Sequence, residues 1–180
     1  MPRIIEIKAH CPHAEQIRQT LMEHNAWLKG EDHQVDTYFV VANGRLKLRQ
    51  GRVESALIHY QRPNQTGPKL SDVSLYRSAD YPALKSTLEK ALGIWVEVDK
   101  RRAIYFIDNV KFHIDQVKGL GSFVEIEAID EDGSISIEQL QQQCDRYLQL
   151  LNIPQEALID RSYSDLLYEQ GQQSQLSPEE

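Results

Sequence analysis

The chain has 180 residues, 41% of them hydrophobic, with 27 acidic against 20 basic side chains and a net charge of −7. That is the make-up of one soluble globular domain with a real core, and its acidity argues against general adhesion to nucleic acid or membranes. Two cysteines make no disulfide framework, no apolar run is long enough to span a bilayer, and the N-terminus enters a strand without a signal-peptide layout, so a cytoplasmic monomer or homodimer is expected.

Ile4 to Lys8 reads as a first strand, with Ile5 and Ile7 on one face and Ile4, Glu6 and Lys8 on the other. Pro12 opens a helix whose stripe is Ala14, Ile17 and Leu21. His10, Cys11 and His13 cluster at its start, too few and too poorly spaced for a soft-metal site. Gln34 to Ala42 is β-rich and runs into Asn43-Gly44, a hairpin signal. The return strand alternates strictly, with Leu46 and Leu48 facing one way and Arg45, Lys47 and Arg49 the other. Leu57 to Arg62 is the next strand, stopped by Pro63, and Val73 to Arg77 a shorter one.

Asp80 is placed to cap a helix carrying Leu84, Leu88 and Ala91, which Gly93 ends. Ile94 to Val98 and Ala103 to Ile107 are extended, on either side of Lys100-Arg101-Arg102. Asp108-Asn109 turns the chain into Val110 to Val117, where Lys111, His113 and Asp115 share a face. Gly119-Leu120-Gly121 leads to Ser122 to Ile129, with Val124, Ile126 and Ala128 on one face and Phe123, Glu125 and Glu127 on the other. Ser136 with Gln139 forms a capping box for a helix bearing Leu140, Cys144, Tyr147, Leu148 and Leu151. A helical turn at Pro154 to Leu158 and a short element at 162–167 complete a domain over residues 1–169. The polar residues 170–180 are expected to be a disordered tail.

The pattern is therefore α+β: about eight strands joined mostly by hairpins, with three helices that each have one apolar face. The polar strand faces carry Lys8, Arg45, Lys47, Arg49, Arg62, Lys100, Arg102 and Lys111 against Glu6, Asp115, Glu125 and Glu127, while the rest of the chain is strongly acidic. A solvated sheet face mixes its signs to limit repulsion. Cations concentrated this way fit a sheet whose apolar face lies under the helices and whose charged face curls around a cavity. Such a cavity suits a polyanion, and the carboxylates beside it suit a hard divalent cation, Mg²⁺ or Mn²⁺. Lys8 and His113 are the candidates for a general base.

Six pieces, in order, carry a family resemblance: Glu6-Ile7-Lys8; Asp36-Thr37-Tyr38-Phe39; Arg45-Leu46-Lys47-Leu48-Arg49; Lys100-Arg101-Arg102 followed by Tyr105; Asp115 through Gly119-Leu120-Gly121 to Phe123-Val124-Glu125-Ile126-Glu127; and Ser162 to Leu167. The sequence resembles the CYTH superfamily of triphosphate tunnel proteins, which includes class IV adenylate cyclases and thiamine triphosphatase. The resemblance implies an eight-stranded antiparallel β-barrel, a triphosphate tunnel, with helices packed outside. It further implies that Arg45, Lys47, Arg49, Lys100 and Arg102 hold a triphosphate, joined on the face count by Arg62 and Lys111. Glu6, Asp115, Glu125 and Glu127 are the implied metal ligands, and Lys8 and Glu125 the residues nearest the chemistry. Ile4 stands where the N-terminal signature has its first glutamate, and Gln61 where a lysine is usual, with Arg62 beside it. The expected activity is that of a divalent-metal-dependent enzyme on ATP or another triphosphate, nearest to class IV adenylate cyclase. A tripolyphosphatase or organic triphosphatase is the alternative within chemistry, and a non-catalytic nucleotide or polyphosphate binder the alternative outside it.

Overall fold

The computed structural model describes residues 3–61, 66 and 69–176. Eight strands close into one antiparallel barrel: β1 (Arg3–His10), β2 (Trp27–Phe39), β3 (Arg45–Gln50), β4 (Ala56–Gln61), β5 (Lys69–Tyr76), β6 (Ile94–Ile107), β7 (Val110–Val117) and β8 (Gly121–Asp130). Their order around the barrel is β1-β5-β4-β3-β2-β6-β7-β8, and β8 closes it by pairing with β1 along the whole of that strand. Closure removes the exposed strand edges of an open sheet.

The alternation of side chains separates two environments. Ile5, Ile7 and Ala9 of β1, Phe112 and Ile114 of β7, and Val124, Ile126 and Ala128 of β8 point outward into the main apolar core. Two helices cover that face: α1 (Ala14–Glu23), through Ile17 and Leu21, and α3 (Ile137–Leu150), through Leu140, Cys144, Tyr147 and Leu148. The expected capping box is present, with Gln139 N–H donating to Ser136 Oγ and Ser136 N–H to Gln139 Oε1. Each large side chain buried here stabilises the fold by about 2 kcal/mol. The barrel interior is mostly charged, so this outer layer supplies most of the hydrophobic stabilisation. Cys11 and Cys144 are both buried, free thiols.

The remaining helices differ from the expectation of three apolar-faced ones. The helix α2 (Tyr81–Leu92) is capped by Asp80, whose Oδ1 accepts from Ala83 N–H at 2.9 Å, and ends at Gly93 with φ +78°. None of its residues is buried; it leans on β2, with Lys85 reaching Glu97 of β6 and the Tyr81 hydroxyl donating to the Ser55 carbonyl. A fourth helix, α4 (Tyr163–Leu176), follows a 3-10 turn at Gln155–Ala157. It takes in residues 170–176, which the polar composition suggested would be disordered.

The longest ladder joins β2 to β6 from Trp27–Phe106 to Phe39–Ile94, with irregularities at Leu28/Gly30 and Tyr38/Phe39. Residues 27–33 carry no strand signal of their own, since Lys29-Gly30-Glu31-Asp32 has neither period nor β-propensity; the β6 partner supplies the missing order. The Asn43-Gly44 signal sits at the end of a five-residue loop rather than in a two-residue turn. Gly44 has φ +65°, and a Cβ there would lie 2.7 Å from the Tyr60 carbonyl oxygen.

Candidate active site

Register alone brings the charged side chains together inside the barrel. Residues directly opposite on neighbouring strands point the same way, and the pairs run Glu6–Glu127–Lys111 and Lys8–Glu125–His113 across β1, β8 and β7. They continue as Asp115–Arg102–Asp32 across β7, β6 and β2, and as Asp36–Arg49 and Tyr38–Lys47 across β2 and β3. Lys8, Arg49, Lys100, Arg102, Asp36, His113, Asp115 and Glu125 are all buried.

Buried charge on this scale is tolerable only when paired, and the pairing forms three hubs. Asp36 takes Arg49 Nε and Nη2 at 2.9 and 2.8 Å, Lys100 Nζ at 2.8 Å and Lys47 Nζ at 3.3 Å. The second hub is Asp115 with Glu125. Arg102 donates to both Asp115 oxygens at 2.7 and 2.6 Å and to Glu125 Oε2 at 3.1 Å. Lys8 Nζ lies 2.8 Å from Glu125 Oε1 and 3.8 Å from the centre of the Tyr163 ring, whose hydroxyl donates to Asp115 Oδ2 at 2.7 Å. The third is Glu54, in the loop after β3, within 3.0 Å of Lys29, 2.7 Å of Lys111 and 3.7 Å of Arg49. Asp32 pins that loop by accepting from the backbone N–H groups of Arg52 and Glu54.

The titration behaviour follows from this packing. Burial alone would raise Asp36 and Glu125. Arg49, Lys100 and Lys47 hold Asp36 well below the usual carboxylate range, and Lys8 and Arg102 do the same for Glu125. Burial pushes the Lys100 ammonium down to about 7; Asp36 opposes that shift, while Arg49, Arg102 and Lys47 add to it. His113 is lowered by burial and by Arg102, so its ring is neutral at physiological pH.

One end of the tunnel is apolar. Tyr38, Tyr60, Val98, Val117, Phe123 and Tyr163 form a second, smaller cluster, against which Trp95, Leu166 and Leu167 pack. At its rim a cavity of about 560 Å³ is lined by residues 41–45, Tyr60, Gln61, Ser162 and Asp165. Farther along β8 from Phe123, the side chains of His113, Glu125 and Glu127 gather so that one donor atom from each lies within 4.8 Å of the others. One imidazole nitrogen and two carboxylates are a fitting donor set for a divalent cation, and Glu6, opposite Glu127, extends it. Among the described residues this is the one group of three or more such donors. Among the described residues, three buried side-chain polar atoms lack a protein partner: His113 Nε2, Gln34 Oε1 and Ser71 Oγ. All three side chains belong to the inward alternation, where a ligand or water can satisfy them.

A sequence model of the CYTH domain matches residues 3–163. The chain belongs to the CYTH family. None of the curated proteins searched matches the chain, whereas solved structures do. The PH1012 protein of Pyrococcus horikoshii superposes with a TM-score of 0.78 at 21% identity, covering 91% of this chain and 98% of that one. A candidate adenylate cyclase from Vibrio parahaemolyticus gives 0.74 at 15% identity over 91% and 97%. The candidate adenylyl cyclase of Hippeastrum, described as having a dominant triphosphatase activity, gives 0.61 at 16% over 95% and 96%. At these identities the likeness is one of fold, the eight-stranded tunnel with helices outside.

Within the CYTH tunnel, most residues singled out in the sequence converge. Lys8, Lys47, Arg49, Lys100, Arg102, Lys111, Glu125 and Glu127 form or border the hubs. Arg45 stands at the rim instead, with its side chain 42% exposed, 3.0 Å from Asp165 and stacked over Trp95. Asp115 is not among the gathered donors; Arg102 binds both its oxygens and Tyr163 one of them, so it positions Arg102. Arg62 lies outside the described residues. The carboxylates of Asp36 and Glu54 were missed as site residues. Asp36 had a readable signal, since it alternates with Gln34 and Tyr38, but a run of β-formers masked it. Glu54 sits in a loop, where no periodicity operates. In the sequence Tyr163 stands only within the short terminal element 162–167.

Proposed function

We propose that this CYTH protein is a divalent-metal-dependent enzyme acting on the triphosphate group of ATP or a related triphosphate. The observation that carries this reading is the set of six cationic side chains inside one closed barrel: Lys8, Lys47, Arg49, Lys100, Arg102 and Lys111. Carboxylates neutralise them in the structure, and a triphosphate is a competing partner of greater charge density. A divalent cation held by Glu125, Glu127 and His113, with Glu6, would supply Lewis-acid charge at the phosphate oxygens. The chain's own part is electrostatic and positional. Asp36 and Asp115 hold Arg49 and Arg102 in fixed orientations, so little reorganisation is needed as charge develops. Lys8, backed by the Tyr163 ring, keeps an ammonium beside the donor cluster.

The leading reaction is cyclisation of ATP to cyclic AMP and pyrophosphate, as the class IV resemblance implies. A second reading, hydrolysis of the terminal phosphoryl group, is favoured by one observation. The rim cavity lies at the aromatic end and the donor cluster lies toward the other. A substrate with its organic group in that cavity would bring its last phosphate, not its first, to the donors. No helix among the described residues is long and apolar enough to cross a membrane.

Incubating the purified protein with ATP and with tripolyphosphate, in Mg²⁺ and in Mn²⁺, tests both. Cyclic AMP with pyrophosphate supports the cyclase; orthophosphate without a cyclic product supports the triphosphatase. Triphosphate binding without turnover would make this a binding protein, and no binding at all would overturn the proposal.

A further inference from the structure

Resting on the reading of the tunnel as a metal-assisted site, we infer that His113 is itself a metal ligand, making this a mixed nitrogen–oxygen site selective for a transition-metal divalent cation over Mg²⁺. The argument is geometric. His113 Nδ1 lies 3.0 Å from Glu125 Oε2 and 3.6 Å from Glu127 Oε1. Two donors each about 2.1 Å from a shared ion, and 90° to 120° apart at it, are about 3.0 to 3.6 Å from each other. Each carboxylate oxygen is therefore already spaced from the ring nitrogen as a neighbouring ligand of one ion would be, and the three residues' donor atoms lie within 4.8 Å of one another. The ring is held there by the strand pairing of His113 with Glu125 and is 1% exposed. Its other nitrogen, Nε2, has no protein partner, so the ring proton can move from Nδ1 to Nε2 and free the Nδ1 lone pair for an ion without breaking a second bond.

Mg²⁺ prefers oxygen ligands and keeps its waters, whereas imidazole suits Mn²⁺ and the later divalent metals. A histidine in this place shifts selectivity toward Mn²⁺.

The test uses Mn²⁺ as the probe on the full chain, at less than one equivalent, with and without tripolyphosphate. Pulsed electron paramagnetic resonance should show ¹⁴N modulation from a directly bound imidazole. His113→Gln should abolish that modulation and lower the affinity ratio of Mn²⁺ to Mg²⁺ at least about tenfold. Glu127→Gln should weaken the same nitrogen-coupled ion, which keeps the test open if the His113 variant folds poorly. Bound Mn²⁺ without nitrogen coupling overturns the inference, as does an unchanged metal preference in His113→Gln. Calorimetric titration with tripolyphosphate separates the two levels: binding without nitrogen coupling overturns only the histidine ligand, and absence of both overturns the tunnel reading as well.

Discussion

Asp36 and Arg49 face each other across β2 and β3, and the guanidinium binds both carboxylate oxygens, Nε to Oδ1 at 2.9 Å and Nη2 to Oδ2 at 2.8 Å. The same carboxylate holds Lys100 and Lys47, so one buried acid is the shared anion of three cations on one wall of the tunnel.

Removing that acid's charge should therefore be costly. Asp36→Asn removes the shared anion of Lys100 and Lys47 and leaves Arg49 with Glu54 at 3.7 Å, and breaking a buried pair in this way costs about 3–5 kcal/mol. Urea unfolding should show that loss. Millimolar tripolyphosphate should restore more stability to the variant than it adds to the parent, because the polyanion replaces the missing charge. Equal stabilisation of both would place the binding site away from Asp36.

Lys100 gives a pH prediction. Its folded value, about 7, lies below the ordinary lysine value of 10.5. Above pH 7 the unfolded chain holds a proton that the folded protein lacks, so this group's contribution to stability rises with pH from about 7 toward 10.5. A triphosphate drawn to Lys100 favours the charged ammonium, so binding at pH 8 should take up a proton and weaken as pH rises. Calorimetry in two buffers of different ionisation enthalpy measures that uptake. Lys100→Arg, which stays protonated throughout, should remove it.

Glu125 accepts from Lys8, Arg102 and His113 and belongs to the donor cluster. Glu125→Gln should lower metal-dependent turnover by at least about a hundredfold while tripolyphosphate still binds through Arg49, Lys47 and Lys111. Product release at saturating Mn²⁺ checks the first part and calorimetry the second. Turnover close to that of the parent would remove Glu125 from the chemistry.

Ile4 lies opposite Ile129 and Ser71, one inward position beyond Glu6. Ile4→Glu adds a carboxylate beside Glu6 and Glu127. Like charges this close repel, so the melting temperature should fall in chelator and recover with Mn²⁺, and turnover should rise. A variant indifferent to Mn²⁺ in both respects would mean that this position does not reach the ion.

The CYTH resemblance was legible because its pieces are short, local and ordered along the chain, and the strict alternation of Arg45 to Arg49 and of Phe123 to Glu127 showed which side chains share a face. The charge balance of the site was not legible. Counting strand faces left the cations in excess, since Asp36 was hidden in an apolar run and Glu54 stood in a loop; in the structure both sit among the cations. The helix through residues 170–176 was missed for a similar reason, its composition being polar on every side.

By itself the sequence determined the two-faced strands, the capped helices and the family, because side-chain alternation and capping depend on neighbours a few residues away. Only the tertiary structure decided which charges meet. Lys100 reaches Asp36 across 64 residues and Lys111 reaches Glu54 across 57. Those partnerships arise when the barrel closes and its register sets strands from distant parts of the chain side by side, and electrostatic pairing depends on that separation in space.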